Sequence, residues 1–445
     1  MKIKYYFTLF VLTCILFSFT NKSLAQKLNK EETIQLMLDT ATTLRQSFTG
    51  FVLYNPKKDK VLIENYPDKY FTPASNTKLY TYFTASRILK DSLPVLGYKF
   101  QQDSLIFWGT GYPLLLNKEF DDSTVINFLS NHQGKLFYYD RPTTDERFGP
   151  GWGWSDYQWY YSSEKSKFPI YGNHINFRLK GSFDSLLVEP QNFKNNIILK
   201  YENAPDEYWP LYRAEHQNEF HYYPKADTFQ TGYEIKMPFM YSKTLFLEML
   251  EDVLHKKIKE YDKIPVKEGK ILRTGNTDTL YRKMLQESDN FLAEQIMMMC
   301  SSEISDSLGV DIGIKWAVEN LMQELPDKPI WRDGSGLSRY NMFTPRTTVK
   351  LLTKLQKNPG TTQLFKLLPN GGKSGTIENW YGGKEKPYVF AKTGTLSNNH
   401  CLSGYVVTRR KKTLIFSFML NHYIVNTSET KKVMQQILEY IYEHY

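Results

Sequence analysis

One stretch limits what this chain can fold into more than any other: Thr72-Pro73-Ala74-Ser75-Asn76-Thr77-Lys78-Leu79. Behind it, Leu79, Tyr82, Phe83, Ala85, Ile88 and Leu89 recur at helical spacing. Pro73 stands where a chain turns into a helix and cannot extend one backwards. Ser75 therefore opens a buried helix, and Lys78, three residues on, shares its face. A serine hydroxyl is a poor nucleophile without a base in hydrogen-bond reach. A lysine amine titrates near ~10.4 when unperturbed. It serves as a base only where burial or nearby positive charge brings it toward ~7–8. The helix start also offers free backbone N–H groups to a developing oxyanion. Two other Ser-x-x-Lys strings, Ser162…Lys165 and Ser428…Lys431, show how little the pattern means alone. Taken singly, such a string is first a helix cap or a solvated turn.

Residues 1–25 read as a secretory signal. Lys2 and Lys4 precede an apolar run over 5–19, and Ser23-Leu24-Ala25 supplies a small-residue cleavage site before Gln26. The run is short for a membrane span, which needs about 20 residues. The chain is thus expected to be exported, to the periplasm, and cleaved after Ala25. The 445 residues are too many for one core. Three lysines and no acid leave with the first 25 residues, which takes the net charge from +9 to +6. That charge is spread along the chain without a basic cluster, so no nucleic-acid partner is expected. Eight scattered histidines give no metal-ligand spacing, and no cofactor motif is present. Cys300 and Cys401 remain after cleavage, and two buried free thiols are favoured over a disulfide.

Along the chain, 30–46 reads as a first helix with Asn29 as N-cap and Glu32 closing a capping box. Strand patterns at 48–54 and 61–65 flank the turn Asn55-Pro56-Lys57-Lys58-Asp59, a hairpin leading into the Ser75 helix. From 91 to 264 the character changes to short alternating runs, such as 104–108 and 175–179, among Tyr, Trp, Phe, Gly and Pro. This is a β-rich insert of one or two domains. Its aromatic tract runs from Trp152 to Tyr161 around Asp156, and core packing is favoured there over stacking on a ligand. Helical patterning resumes at 280–286 and 291–300, with Ser288-Asp289-Asn290 at the junction. A Gly-rich loop, Asp333-Gly334-Ser335-Gly336-Leu337-Ser338-Arg339, precedes a helix at 347–357. Lys373-Ser374-Gly375 lies in a loop, whereas Lys392-Thr393-Gly394-Thr395 follows the apolar run Tyr388-Val389-Phe390-Ala391 and reads as an edge strand. Strands at 402–408 and 413–420 pair next to it, and a helix over 429–443 ends the chain.

Ser-x-x-Lys, Ser-x-Asn and Lys-Thr-Gly, in that order and each on a suitable element, carry joint weight. With Ala293-Glu294 and the Gly-rich loop, they make the chain resemble the serine D-alanyl-D-alanine carboxypeptidases/endopeptidases, the low-molecular-mass class C penicillin-binding proteins. One departure is Tyr112, in Gly109-Thr110-Gly111-Tyr112-Pro113, where that family usually has Asp. The resemblance implies an α/β (α+β) fold of the transpeptidase/β-lactamase type: an antiparallel sheet between helical layers, interrupted by the insert. Residues 26–90 plus 265–445 would form the catalytic domain, and 91–264 the inserted part. It further implies hydrolysis of peptidoglycan stem peptides or cross-links at D-Ala, with β-lactams as covalent inhibitors. Ser75 is the implied nucleophile and Lys78 its base. Ser288 relays a proton, Lys392 lowers the Lys78 pKa by its charge, and Asn290 binds the substrate backbone. Thr393, Gly394 and Thr395 flank the terminal carboxylate, and the backbone N–H groups of Ser75 and Thr395 form the oxyanion hole. Asp156 is a further substrate contact. A β-lactamase-type hydrolase and a non-hydrolytic cell-wall-binding protein are the alternatives. The oligomeric state is not legible.

Overall fold

The structure is a computed structural model and describes residues 28–179, 186–205, 209–224, 233–263, 269–275, 277–383 and 386–445. The expected secretory signal lies outside the described residues. The central sheet uses both ends of the chain. Its strands are β1 (Phe48–Asn55), β2 (Lys60–Asn65), β3 (Val389–Leu396), β4 (Asn399–Val407) and β5 (Thr413–Asn421). They lie in the order β3-β4-β5-β1-β2, every pair antiparallel. The expected hairpin is β1–β2, and Asn55 Oδ1 fastens its turn by accepting from Lys57 N and Lys58 N.

Alternate residues of a strand face opposite ways, and here both faces are covered. Phe51 and Leu53 of β1, with Leu414, Phe416, Phe418 and Leu420 of β5, join a core with Ile34 and Leu38 of the first helix and Met434, Ile437 and Ile441 of the last. Val52 and Ile415 point the other way. They join Leu79 and Phe83 of the helix Thr77–Ile88, Ala293 and Met297 of Asn290–Ile304, and Leu352 of Pro345–Leu355. A sheet buried on both sides reads as continuous apolar runs rather than strict alternation, which is how β4 and β5 look. The capping box at Asn29 and Glu32 is formed. The single helix expected over 30–46 is broken instead, into Lys30–Thr40 and Thr42–Arg45, at an extended Ala41. Thr40 Oγ1 donates to Leu36 O on the last turn before the break.

Among the described residues, the inserted stretch holds three sheets. The largest is mixed, in the order Ile258–Glu260, Lys135–Tyr138, Ser104–Gly109, Leu93–Gln101, Lys270–Thr274. Two three-stranded sheets complete it, one around Phe220–Tyr222 and one around His174–Leu179. Leu93 is paired with Thr274, so the stretch leaves and rejoins the chain at neighbouring points. Because Lys270–Thr274 is hydrogen-bonded into this sheet, we propose that the insert runs to Thr274 rather than to 264. Phe177, Phe220 and Met237 belong to the same continuous core as Leu79 and Ala293. No helix among the described residues is long and apolar enough to cross a membrane. Cys300 and Cys401 are both buried and free, and burial pushes the Cys401 thiol up to about 12.

Candidate active site

The turn that carries Ser75 is a tight one. Ala74 adopts φ 46°, a left-handed conformation that costs a residue with a Cβ about 1 kcal/mol. A single 3₁₀ turn, Ala74–Asn76, then leads into Thr77–Ile88. Thr77 Oγ1 donates back to Ala74 O (2.8 Å), and Asn76 Nδ2 donates to Lys392 O (2.9 Å), tying the turn to β3. The two elements meet so closely that a Cβ on Gly394 would stand 2.3 Å from Pro73 O and 2.9 Å from Ser75 N. A glycine is therefore required there, and the backbone N–H of Ser75 lies against the edge strand.

Lys78 is fully buried. Its Nζ is 2.9 Å from Ser75 Oγ, 2.6 Å from Asn290 Oδ1 and 2.7 Å from Ser335 O. Burial brings its pKa down to about 8, while Asp289, Asp333 and Glu294 act in the opposite direction. Lys392 is also fully buried, and its Nζ donates to Ser288 Oγ (2.9 Å) and Thr393 O (2.9 Å). Its pKa lies well below the ordinary lysine value, first through burial and then through the charge of Lys78. Burial is the first cause of both shifts, and repulsion between two neighbouring amines acts on each of them.

Ser288 sits at the junction between Thr277–Gln286 and Asn290–Ile304, in a left-handed conformation (φ 63°). Asp289 beside it is the N-cap, accepting from Leu292 N (2.8 Å). Both halves of the Asn290 amide are engaged: Oδ1 accepts from Lys78, and Nδ2 donates to Tyr161 O (2.9 Å) of the insert. Asn290 thereby braces the Lys78 amine against the insert. Thr393 Oγ1 is 2.7 Å from Thr376 Oγ1, and Thr395 Oγ1 is 2.8 Å from Nδ1 of the buried His400 on β4.

These groups meet at a cleft of about 1120 Å³ lined by Ser75, Ser288, Asn290, Thr393, Thr395 and Asp156. Asp156 sits in the short turn Trp154–Gln158 and accepts from Tyr161 Oη (3.2 Å). The aromatic tract is split in role. Trp152 donates to Asp333 Oδ2 (2.9 Å) and Trp159 packs on Trp209, whereas Trp154 and Tyr160 are exposed. Of the other Ser-x-x-Lys strings, Lys165 pairs with Asp145 (2.5 Å), and Ser428 Oγ donates to Asn426 at the start of the last helix. Neither lysine is bonded to its serine.

Sequence reasoning gave no role to Glu294 or Asp333. Glu294 is fully buried four residues after Asn290, on the same helical face. It accepts from Gly334 N (3.0 Å) and Ser335 N (2.8 Å), and so holds the loop whose Ser335 carbonyl receives Lys78. Burial, followed by the charge of Asp333, pushes its carboxyl up to about 7. Asp333 fastens the rest of the loop by accepting from Gly336 N and Ser338 N. The available signal was an acid, followed by Gln295, between the apolar runs 291–293 and 296–300.

Residues 273–443 match the D-Ala-D-Ala carboxypeptidase 3 (S13) family. That segment includes Ser288, Asn290 and the Lys392–Thr395 strand. This part of the chain is similar to the S13 carboxypeptidases. Among curated proteins it is 28% identical over 168 residues to D-alanyl-D-alanine carboxypeptidase DacB of Haemophilus influenzae, covering 36% of this chain and 35% of that protein. It is 31% identical over 154 residues to Carboxypeptidase DacB of Mycolicibacterium smegmatis, covering 32% of this chain and 33% of that one. The aligned part thus spans about a third of the length of these relatives. The likeness of fold reaches further. Penicillin binding protein 4 (dacB) of Haemophilus influenzae superposes with a TM-score of 0.74 at 18% identity, covering 92% of this chain and 99% of that one. The same protein complexed with a novel beta-lactam gives 0.69 at 17% identity, over 94% and 100%. The fold is therefore the penicillin-binding-protein-4 type, with extra β-sheets between the Ser75 helix and the Ser288 junction.

Proposed function

We propose that the chain is an exported serine-type D-Ala-D-Ala carboxypeptidase/endopeptidase acting on peptidoglycan stem peptides in the periplasm. The observation that carries this reading is the 2.9 Å approach of a buried Lys78 amine to Ser75 Oγ. An amine brought to about 8 can accept a proton near neutral pH. Ser75 Oγ attacks the carbonyl carbon of the penultimate D-Ala, and its proton passes to Lys78. The backbone N–H groups of Ser75 and Thr395 receive the oxyanion, each donor contributing about 10²–10³ in rate. As the C–N bond breaks, the Ser288 hydroxyl, in contact with Lys392, relays to the leaving amine the proton that Lys78 took from Ser75: it gives its own hydrogen to the amine and takes the one on Lys78, which is left a free amine. Water then attacks the Ser75 ester, with Lys78 again as base, and the shortened peptide leaves.

Lys392, Thr393 and Thr395 form the proposed seat of the terminal carboxylate. An anion placed there offsets the cost of charging Lys392 and raises its pKa, so the seat acquires its positive charge together with its ligand. Asp156 is proposed to meet the cationic end of the stem peptide. β-Lactams enter by the same attack and remain as acyl-enzymes.

A fluorescent penicillin tests the assignment. The intact protein should be labelled at Ser75, and Ser75→Ala should lose the label while keeping its melting temperature. A label mapped to Ser162 or Ser428, or undiminished labelling of the variant, would reject the nucleophile. Rapid release of hydrolysed drug would favour a β-lactamase. Resolving the products from muropeptide monomers and dimers then separates terminal trimming from cross-link cleavage.

A further inference from the structure

His400 lies on β4 directly opposite Thr395 in the strand register, and it is fully buried. Its Nδ1 is 2.8 Å from Thr395 Oγ1, while its Nε2 has no hydrogen-bond partner among the described residues. Thr395 itself faces the cleft. A hydroxyl carries one hydrogen and two lone pairs, so what Thr395 offers the cleft depends on what His400 takes. If Nδ1 is an acceptor, it consumes the hydroxyl hydrogen, and Thr395 turns only lone pairs toward an incoming carboxylate. If Nδ1 carries the proton, it donates to Oγ1 and the hydroxyl hydrogen is free for the ligand.

Two observations choose between these states. The ring is neutral at working pH, because burial and the charges of Lys431 and Lys392 hold its pKa down at about 3. A neutral ring has one proton, and placing it on Nε2 would leave a buried donor without an acceptor. Orphaned buried N–H groups are rarer in folded proteins than under-used acceptors. We propose that His400 is a positioning residue, held as the Nδ1–H tautomer, which orients the Thr395 hydroxyl so that its hydrogen is donated to the substrate's terminal carboxylate. The proposal rests on the reading of Thr395 as part of the carboxylate seat. It assigns the polarity of that seat to a side chain on the neighbouring strand that never touches the ligand.

The tautomer is read directly from the imidazole nitrogen shifts of the full chain labelled with ¹⁵N-histidine, with His400 assigned by its loss in His400→Phe. A neutral ring protonated on Nδ1 from pH 5 to 8 is expected. A proton on Nε2, or a charged ring, overturns the proposal whatever the enzyme does. The functional arm compares Ser75 acylation by a penicillin as the free acid and as its methyl ester. His400→Phe should lower the preference for the acid about tenfold, the scale of one hydrogen bond to a charged group. Acylation by the ester should stay unchanged, and His400→Asn, which retains an N–H, should recover part of the preference. Equal loss with both probes would leave His400 a packing residue only. Thr395→Val keeps the two ideas apart. If it retains the full preference for the acid while His400 is protonated on Nδ1, the carboxylate seat is misassigned and the tautomer stands.

Discussion

At the scale of the residue, two fully buried amines set the chemistry of the proposed mechanism. Lys78 is surrounded by acceptors and by three acids that favour its charge, yet burial prevails and leaves it near 8. A base works only when deprotonated, so acylation by penicillin should rise with pH through about 8 and level off above it. Glu294 acts on that midpoint through its charge and on the Ser335 loop through its hydrogen bonds. Glu294→Gln removes a negative charge that raises Lys78, so the midpoint of the acylation profile should move to lower pH. The amide also turns an N–H toward Gly334 N or Ser335 N, an unsatisfied contact costing about 1–3 kcal/mol. A lower melting temperature with an unmoved midpoint would make Glu294 a loop anchor alone. Lys78→Arg keeps a cation but cannot deprotonate, and its acylation rate should fall by at least ~100-fold. Lys392→Arg should fall less, and the roles would have to be exchanged if it fell further.

At the scale of the element, the site depends on how close a strand edge approaches a helix start. Gly394 is where β3 meets the Ser75 turn, and no other residue type fits the gap. Gly394→Ala should push β3 away from the Ser75 N–H and cost about 1–3 kcal/mol in stability. Stopped-flow acylation should drop by more than the fraction unfolded explains, and a wild-type rate would refute this account of the cleft. The elements themselves were largely legible in the sequence. The β1–β2 hairpin, the Ser75 helix, the strand with Lys392 and the terminal helix follow from apolar period and turn residues. What escaped is cross-chain partnership. Nothing local to Asn290 announces that its amide bridges Lys78 and Tyr161, or that Glu294 reaches a loop some forty residues on. Ala41 escaped for a different reason: the threonines on either side weaken a helix only slightly, so the apolar period runs on across the break.

At the scale of the whole molecule, the insert is more than a wall beside the cleft. It holds the Ser335 loop through Trp152 and Asp333, and it braces Asn290 through the Tyr161 carbonyl. Asp156 belongs to the same tract but, among the described residues, bonds only the Tyr161 hydroxyl and its own turn. Asp156→Asn therefore separates recognition from bond making. Penicillin acylation should stay within about twofold, whereas turnover of peptides with a free amino group should fall about tenfold. A proportional loss of both, with a reduced melting temperature, would make Asp156 a turn residue. The central sheet has a consequence of its own. Phe48 pairs with Asn421, so the second strand neighbour of β1 comes from near the far end of the chain. Pairings of such long sequence separation form slowly. A chain emerging from its N-terminus presents Ser75 and Lys78 early, but the strand that completes the cleft begins only at Val389. Under the proposed function, the oxyanion hole is therefore complete only once the chain has been made as far as Leu396, and any shorter stretch would carry Ser75 and Lys78 without it.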